Sequence, residues 1–222
     1  MQLAMSTLYS SALSGPEDLA DWILEGPMVA SFPTGRLRLE SAAEPAEGQA
    51  ANFVAWLPVE HQGDVRISWS FRPLREPGLA MIFWAAQARG GGSLHDPALP
   101  ARTGEYEQYH SGAIDAYHLS YYRRMWPTER RLHTCNLRKS HGFHLVAQGA
   151  DPLPPVLDAD GDYHLELVWR EGRVTFSVEG IECLSWQDEG TIGGAPHRAG
   201  AIGLRQMAPL IAEYSNLRIE AL

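Results

Sequence analysis

The sequence has few cysteines and no long hydrophobic run, and each shortage excludes a class of protein. Cys135 and Cys183 are the two cysteines in 222 residues, too few for a disulfide framework, so we expect two packed, reduced thiols. No apolar stretch approaches the roughly 18 residues of a membrane span. We therefore expect no membrane partner.

Positive charge is also in the minority, with 18 Lys and Arg against 27 Asp and Glu and a formal net charge of −9. Because affinity for nucleic acid depends on many Lys and Arg contacts to phosphates, we expect no nucleic-acid partner. Positions Met1–Gly15 contain no Lys or Arg and lack the apolar core of an export signal. This composition predicts a cytoplasmic location.

Recognisable metal and phosphate motifs are missing as well. The nine histidines form no H-x-x-x-H pair on a helix and no cluster with cysteine. Asp158–Asp162 alternates carboxylates as calcium loops do, but the glutamate that an EF-hand requires does not follow. Gly90–Gly92 lacks the lysine of a phosphate-binding loop. We therefore expect no metal and no cofactor.

What the sequence does contain is strand periodicity. Val65–Arg72 alternates apolar and polar residues without interruption, which predicts a half-buried strand. Tyr163–Trp169 and Val174–Val178 repeat the pattern on either side of the turn residues Glu171 and Gly172, which predicts a hairpin.

A single short helix is predicted, at Pro16–Leu24, and residues 93–104 are predicted to form a surface excursion. Many short strands separated by Gly and Pro are typical of an all-β sandwich of two antiparallel sheets. We expect one such domain over residues 1–222.

Three runs of residues resemble a known family: Tyr106–Gly112, Ala116–Arg124 and Thr134–Ser140. They are similar to the YesU-like bacterial family, a domain of unknown function, and the similarity extends over nearly the whole chain. The resemblance implies a concanavalin A-like lectin/glucanase jelly roll and an association with the uptake and breakdown of plant cell-wall polysaccharide. It supplies no catalytic set that could be transferred to this chain.

The segment Tyr106–Arg124 holds five tyrosines, two histidines and two arginines within 19 residues. If Tyr117, Leu119 and Tyr121 face the core, strand alternation sends every second residue to the opposite face. Those outward residues are His118, Ser120, Tyr122 and Arg124. Aromatic rings and side chains that both donate and accept hydrogen bonds suit a sugar, so this face is a candidate groove. The alternative is that the tyrosines are ordinary half-buried strand residues.

A second polar patch follows at Asn136–His141, where Asn136 and Arg138 are predicted to point outward. Arg138 could clamp an anionic group through two hydrogen bonds, with Lys139 beside it. In an acidic chain, the local cluster of Arg123, Arg124, Arg138 and Lys139 indicates an acidic sugar such as a uronate. The alternative is a solvated basic edge that discourages strand aggregation.

Two reactions fit these residues. A lyase needs a base, an acid and cations that neutralise the sugar carboxylate. The candidate bases are His118 and His110, the candidate acids are Tyr122 and Tyr109, and the candidate cations are Arg138 and Arg124. A hydrolase needs paired carboxylates, for which Glu105 and Glu107 would lie on one strand face. The sequence favours a lyase over a hydrolase, and recognition of a carbohydrate over either reaction.

Two non-catalytic alternatives stay open, a lectin-like carbohydrate-binding module and a structural or partner-binding jelly roll. If His118 lies in a wet groove, its replacement by alanine should remove activity and leave the melting temperature nearly unchanged.

Overall fold

The computed structural model describes residues 6–124 and 133–222. Within these ranges the chain forms fifteen strands in two antiparallel sheets, one short α-helix and three 3₁₀ turns. The predicted all-β sandwich with few short helices is therefore confirmed.

The strands have 3 to 11 residues and are joined by long connections at only a few points. The strands are β1 Ser6–Ser11, β2 Ile23–Glu25, β3 Met28–Ser31, β4 Leu37–Ser41, β5 Phe53–Gln62, β6 Val65–Arg75, β7 Gly78–Ala88, β8 Ile114–Arg124, β9 Thr134–Ser140, β10 His144–Ala150, β11 Tyr163–Arg170, β12 Arg173–Val178, β13 Ile181–Gln187, β14 Ala199–Met207 and β15 Ile211–Ala221. The helix α1 is Glu107–His110, and the 3₁₀ turns are Pro16–Leu19, Pro45–Ala51 and Val156–Asp158.

The two sheets enclose the main core. One sheet has the order β13-β12-β11-β6-β15-β4-β3, with β1 beside β15, and the other has the order β10-β9-β8-β7-β14-β5-β2. Trp69 and Trp169 from the first sheet pack with Tyr121 and Trp84 of the second. The alternation predicted for Val65–Arg72 is confirmed, and the predicted hairpin is the β11–β12 pair.

The predicted helix Pro16–Leu24 is correct only at its start. The 3₁₀ turn ends at Leu19, and Ile23 begins a strand that pairs with Trp56 of β5. Pairing with β5 supplies the backbone hydrogen bonds that a helix would otherwise provide. Trp22, between the two elements, is buried in the core, and its ring N–H donates to the hydroxyl of Tyr9.

A β-bulge interrupts β8 and changes which side chains reach each face. Ser120 pairs with Met81 of β7, but Ala80 pairs with Tyr122, so Tyr121 is an extra residue on β8. Two residues on one strand then oppose one on its partner, which shifts the alternation by one position beyond the bulge.

The bulge contradicts the prediction that Tyr122 and Arg124 share a face with His118. Tyr122 lies in the core, with its ring 5.4 Å from that of Phe71. Uninterrupted alternation was the basis of the prediction, and the extra residue reverses its phase. By the same shift, Arg123 replaces Arg124 on the outer side of the sheet.

Arg124 instead ties together the end of the sandwich. Its Nη1 donates to Oδ2 of Asp151 at 2.5 Å, its Nη2 donates to the carbonyl of Leu153, and its guanidinium lies 4.5 Å from the ring centroid of Tyr122. The Tyr122 hydroxyl donates to Glu76. These contacts make Arg124 and Tyr122 structural residues.

Replacing Asp151 with Asn should destabilise the fold by about 1.5–3 kcal/mol, because it removes the buried carboxylate at 2.5 Å from Arg124 and leaves Glu76, 3.8 Å from Nε, as the remaining counter-charge. Urea denaturation of the variant and the parent measures this difference. The matched control is Asp162→Asn, which breaks the half-exposed Arg36–Asp162 pair and should cost less than about 1 kcal/mol. Equal losses in the two variants would contradict the structural role of Asp151.

Candidate functional site

The outer face of the seven-stranded sheet brings together four of the predicted site residues. His118 is directly opposite Arg138 across β8 and β9, and Ser120 is opposite Asn136. Gln148 of β10 extends this row, since its Nε2 donates to Oδ1 of Asn136 at 2.7 Å. The sequence prediction is confirmed for the common face of these four residues.

His118 does not line a wet groove, because its side chain is fully buried. Nδ1 lies 2.8 Å from the hydroxyl of Tyr106, and Nε2 lies 2.8 Å from Oγ of Ser140. In a neutral imidazole, one of these nitrogens donates and the other accepts. The ring also stacks on Phe83 at 5.2 Å. The premise that His118 lies in a wet groove is therefore wrong, and we expect its removal to destabilise the fold.

Burial holds the pKa of His118 well below its usual value, and the charges on Arg138, His110 and Arg205 lower it further. The imidazole is therefore neutral at pH 7. It connects Tyr106 to Ser140 and cannot itself reach a ligand at the surface.

Tyr106, within the segment that the sequence singles out, is the residue of this network whose role sequence reasoning missed. Its side chain is half-buried, and it is placed by the turn that begins α1. Burial raises the pKa of the Tyr106 hydroxyl, while the positive charges of Arg205, Arg138 and Arg123 act in the opposite direction. The run Tyr106–His110 carries the signal, but a helical turn presents its residues differently from the predicted strand.

Arg205 is the second missed residue, a fully buried arginine on β14. Its Nη1 donates to the carbonyl of Gly104 at 2.5 Å and its Nη2 to Oε1 of Gln49 at 3.4 Å. The guanidinium lies 4.8 Å from the ring of Tyr106 and 5.5 Å from that of Tyr109. These partners are all uncharged, and Nε has no hydrogen-bond partner within the described part of the chain.

The charge of Arg205 persists despite this environment. Burial lowers the pKa of its guanidinium to about 10, so it is cationic at neutral pH. A buried charge without a counter-charge is costly. The residue therefore places a positive potential directly behind Tyr106.

Tyr109, predicted as a catalytic acid, is the third residue of α1, and its side chain is fully buried. Its hydroxyl donates to Oε2 of Glu25 at 2.7 Å and accepts from the backbone N–H of Gly104 at 3.1 Å. Glu25 is also paired with Arg102. With its hydroxyl fully engaged, Tyr109 fixes the connection and does not reach a ligand.

His110 and Phe143 form the rim of the site. Their rings are 4.2 Å apart, and Phe143 is 38% exposed. Arg138 places its guanidinium 3.8 Å from the Phe143 ring centroid and donates to the Phe143 carbonyl at 2.9 Å. Phe143 has φ +56°, a left-handed conformation that is uncommon for a bulky residue. His110 is therefore at the site as predicted, beside an aromatic ring that sequence reasoning did not select.

Lys139 was predicted to bind the ligand, and this prediction is wrong. Its side chain is fully buried on the inner side of β9. Nζ lies 2.7 Å from Oδ2 of Asp188 and donates to the carbonyl of Gly194 at 2.5 Å. Tyr117 donates to the same Asp188 oxygen. Alternation places Lys139 opposite in direction to Arg138, so the two cations cannot act together.

Glu105 and Glu107 are both exposed, and they do not lie on a strand. Glu105 is in a connection, and Glu107 begins α1. The prediction that they share a strand face is wrong, because two-residue periodicity does not apply to a helical turn. The paired-carboxylate argument for a hydrolase loses its geometric basis.

Within residues 6–124 and 133–222, no group of three or more His, Cys, Asp and Glu side chains is arranged to hold a metal ion. Over the same ranges, no helix has the length and apolar character needed to cross a bilayer.

Similarity to known proteins is extensive. A family model described as a domain of unknown function, DUF1961, matches residues 6–219. The uncharacterized protein YesU of Bacillus subtilis (strain 168) is 44% identical over 212 residues, which are 96% of this chain and 94% of YesU.

Two solved structures share the fold. A Bacillus subtilis protein of unknown function with a galectin-like fold is 43% identical and aligns over 96% of this chain and 95% of its own, with a TM-score of 0.92. The carbohydrate binding module CBM66 from Bacillus subtilis aligns over 92% of this chain and 98% of its own, with a TM-score of 0.55 and 11% identity. The second likeness concerns the fold alone.

Replacing His118 with Ala should destabilise the protein by about 1–3 kcal/mol for each of the two buried hydroxyls left without a partner, those of Tyr106 and Ser140. Thermal and urea unfolding measure this effect. The control is His110→Ala, a partly exposed ring whose loss should cost about 1 kcal/mol or less. A His118 variant as stable as the parent would show that the imidazole is not integrated in the fold.

Stability should also depend on pH below neutrality. Burial lowers the pKa of His118, His61 and His197 in the folded state. As the pH falls through about 6.5, these histidines are protonated in the unfolded chain but stay neutral in the folded chain. The free energy of unfolding therefore declines, by at most about 1.4 kcal/mol per pH unit for each histidine. Above that pH the three histidines are neutral in both states and add no pH dependence to the stability. His118→Ala should give a shallower decline in urea titrations, and an unchanged slope would contradict the assignment.

Proposed function

The chain belongs to the DUF1961 family, as its resemblance to YesU-like proteins predicted, and from this premise we propose that it binds an acidic oligosaccharide. The ligand lies on the outer face of the seven-stranded sheet, against Tyr106 and Arg138. A carbohydrate binding module among the proteins of similar fold supports a sugar ligand in general. The acidic character is supported by the charges at the site.

The observation that carries the proposal is the buried Arg205 guanidinium, whose contacts are all with uncharged groups. In a chain with a net charge of −9, this charge creates a local positive potential behind Tyr106. An anionic ligand at Tyr106 supplies the missing counter-charge. A carboxylate on a sugar is such a ligand.

The neighbouring side chains suit the rest of a sugar. The partly exposed ring of Phe143, held against Arg138, offers an apolar surface for the C–H face of a pyranose. Asn136 and Gln148 offer amide donors and acceptors for hydroxyl groups. Arg138, whose Nη1 donates to the Phe143 carbonyl, can add a charge-assisted hydrogen bond to the carboxylate.

Calorimetric titration with an oligogalacturonide should show binding that weakens as salt is raised. The same oligosaccharide with its carboxyl groups esterified is the matched neutral ligand, and it should bind at least about tenfold more weakly. Equal affinity for the two ligands would contradict the acidic specificity. Absence of binding to any saccharide would favour a structural or partner-binding jelly roll.

Replacing Arg138 with Gln should weaken binding of the acidic ligand by about tenfold or more, since one charge-assisted contact contributes about 1.5–3 kcal/mol. The melting temperature should change little. Arg218→Gln, at an exposed arginine on β15 of the other sheet, is the control and should bind as the parent does. Equal weakening in both variants would indicate a general charge effect instead of a site at Arg138.

A second candidate function is β-elimination, which the Tyr106–His118–Ser140 chain of hydrogen bonds favours. Tyr106 would pass its proton to His118, an uphill transfer because burial lowers the pKa of that imidazole and raises the pKa of the phenol. As a phenolate it would then take the C5 proton of a uronate and leave a carbanion stabilised by Arg138. The electron pair then forms the C4–C5 double bond as the C4–O bond breaks, and the proton held by His118 returns through Tyr106 to the leaving oxygen.

Incubation with oligouronides distinguishes this reaction from binding alone. New ultraviolet absorbance from an unsaturated product indicates elimination, and reducing ends without absorbance indicate hydrolysis. If elimination occurs, Tyr106→Phe should abolish it while changing affinity only a few fold. Binding with neither product identifies a lectin-like module.

The cytoplasmic location stays a prediction, which fractionation of expressing cells would test.

A further inference from the structure

The connection between β7 and β8 covers much of the outer face on which the proposed ligand binds. Leu94 and Tyr109 of this connection are buried in a second apolar cluster, with Tyr106 packed against it. Their partners lie on the outer side of the sheet: Val54, Trp56, Phe83, Ala86, Ile114, Ala116 and Ala201. Residues 93–104 run largely over the surface, as predicted, but Leu94, Gly104 and Tyr109 anchor the connection as a layer over the strands β5, β14, β7 and β8.

Polar contacts hold this layer in place. Arg102 donates through two nitrogens to the two carboxylate oxygens of Glu25 on β2, at 3.1 and 2.7 Å. Tyr109 donates a hydrogen bond to the same carboxylate. The backbone N–H of Gly104 donates to the Tyr109 hydroxyl, and the Gly104 carbonyl accepts from Arg205. A bidentate, buried ion pair of this kind fixes a segment in one position. The layer is therefore a fixed wall.

The wall closes one end of a row of residues that crosses the sheet. From β10 to β5 the row runs Gln148, Asn136, Ser120, Met81, Arg205 and Val54. Gln148 is exposed at one end, while Arg205 and Val54 are fully buried at the other. Asn136, Ser120 and Met81 between them are also buried, and the rings of Tyr106 and Tyr109 lie near Arg205 at the covered end.

We propose that this site takes the end of an acidic oligosaccharide and not an internal stretch of the polymer. The terminal sugar lies against Tyr106 with its carboxylate toward Arg138 and the field of Arg205, and the chain leaves across Asn136 and Gln148. An internal stretch would have to continue through the space filled by Tyr106 and Tyr109. This inference rests on the proposed function.

The test is calorimetric titration with oligogalacturonides of defined length and with the polymer. One protein is expected to bind per chain whatever the chain length. Affinity should stop rising at about two or three sugar units, because β8 to β10 spans two strand spacings of about 4.8 Å each. A stoichiometry that rises with chain length would overturn the inference while leaving the proposed function intact. Absence of binding at every length overturns both.

A second measurement identifies the end that is bound. A bulky fluorescent group is attached to a hexamer at its reducing end in one sample and at its other end in a second sample. One of the two labelled hexamers is expected to lose binding, and the other to bind as the unlabelled hexamer does. Undiminished binding of both labelled hexamers, or loss of both, would overturn recognition of a chain end.

Discussion

Burial of both faces of the seven-stranded sheet is the constraint on which the site depends. The inner face packs against the other sheet, and much of the outer face packs beneath the connection between β7 and β8. Because Tyr106 is part of that connection, its position follows from the packing of Tyr109 on Trp56 and Phe83 and from the Glu25–Arg102 pair. A site that depends on so many buried contacts is preorganised, since forming it requires no ordering of a loop.

Strand alternation is enough to predict the sandwich and half of the site, and its limits have identifiable causes. His118, Ser120, Asn136 and Arg138 share a face because β8 and β9 pair in register up to Ser120. Beyond that residue, the bulge is invisible in the sequence, since Tyr121 and Tyr122 satisfy either face equally well. The misplacement of Tyr122 and Arg124 therefore follows from tertiary pairing with β7, which no local pattern encodes.

Exposure is the property that sequence could not supply. His118 is polar and lies on the outer face, which suggests contact with water, but Tyr106 and Ser140 satisfy both its nitrogens in a closed environment. Arg205 follows the six residues 199–204 of β14, none of which has a polar side chain, and it carries no local sign of its role. Both residues are buried by a segment distant in the chain, so their environment depends on long-range packing.

The charges at the site serve binding better than proton transfer. Burial raises the pKa of Tyr106, and the positive charges of Arg205, Arg138 and Arg123 offset only part of that rise. A phenolate at Tyr106 would be stabilised by the field of those charges. A bound carboxylate cancels part of the same field, because one set of guanidinium groups must serve both anions. Arrival of an acidic sugar thus makes Tyr106 harder to deprotonate. Elimination requires the arginines to stabilise the ligand carboxylate and the Tyr106 phenolate at the same time, whereas recognition requires them to stabilise the ligand carboxylate alone. For this reason binding is the primary proposal.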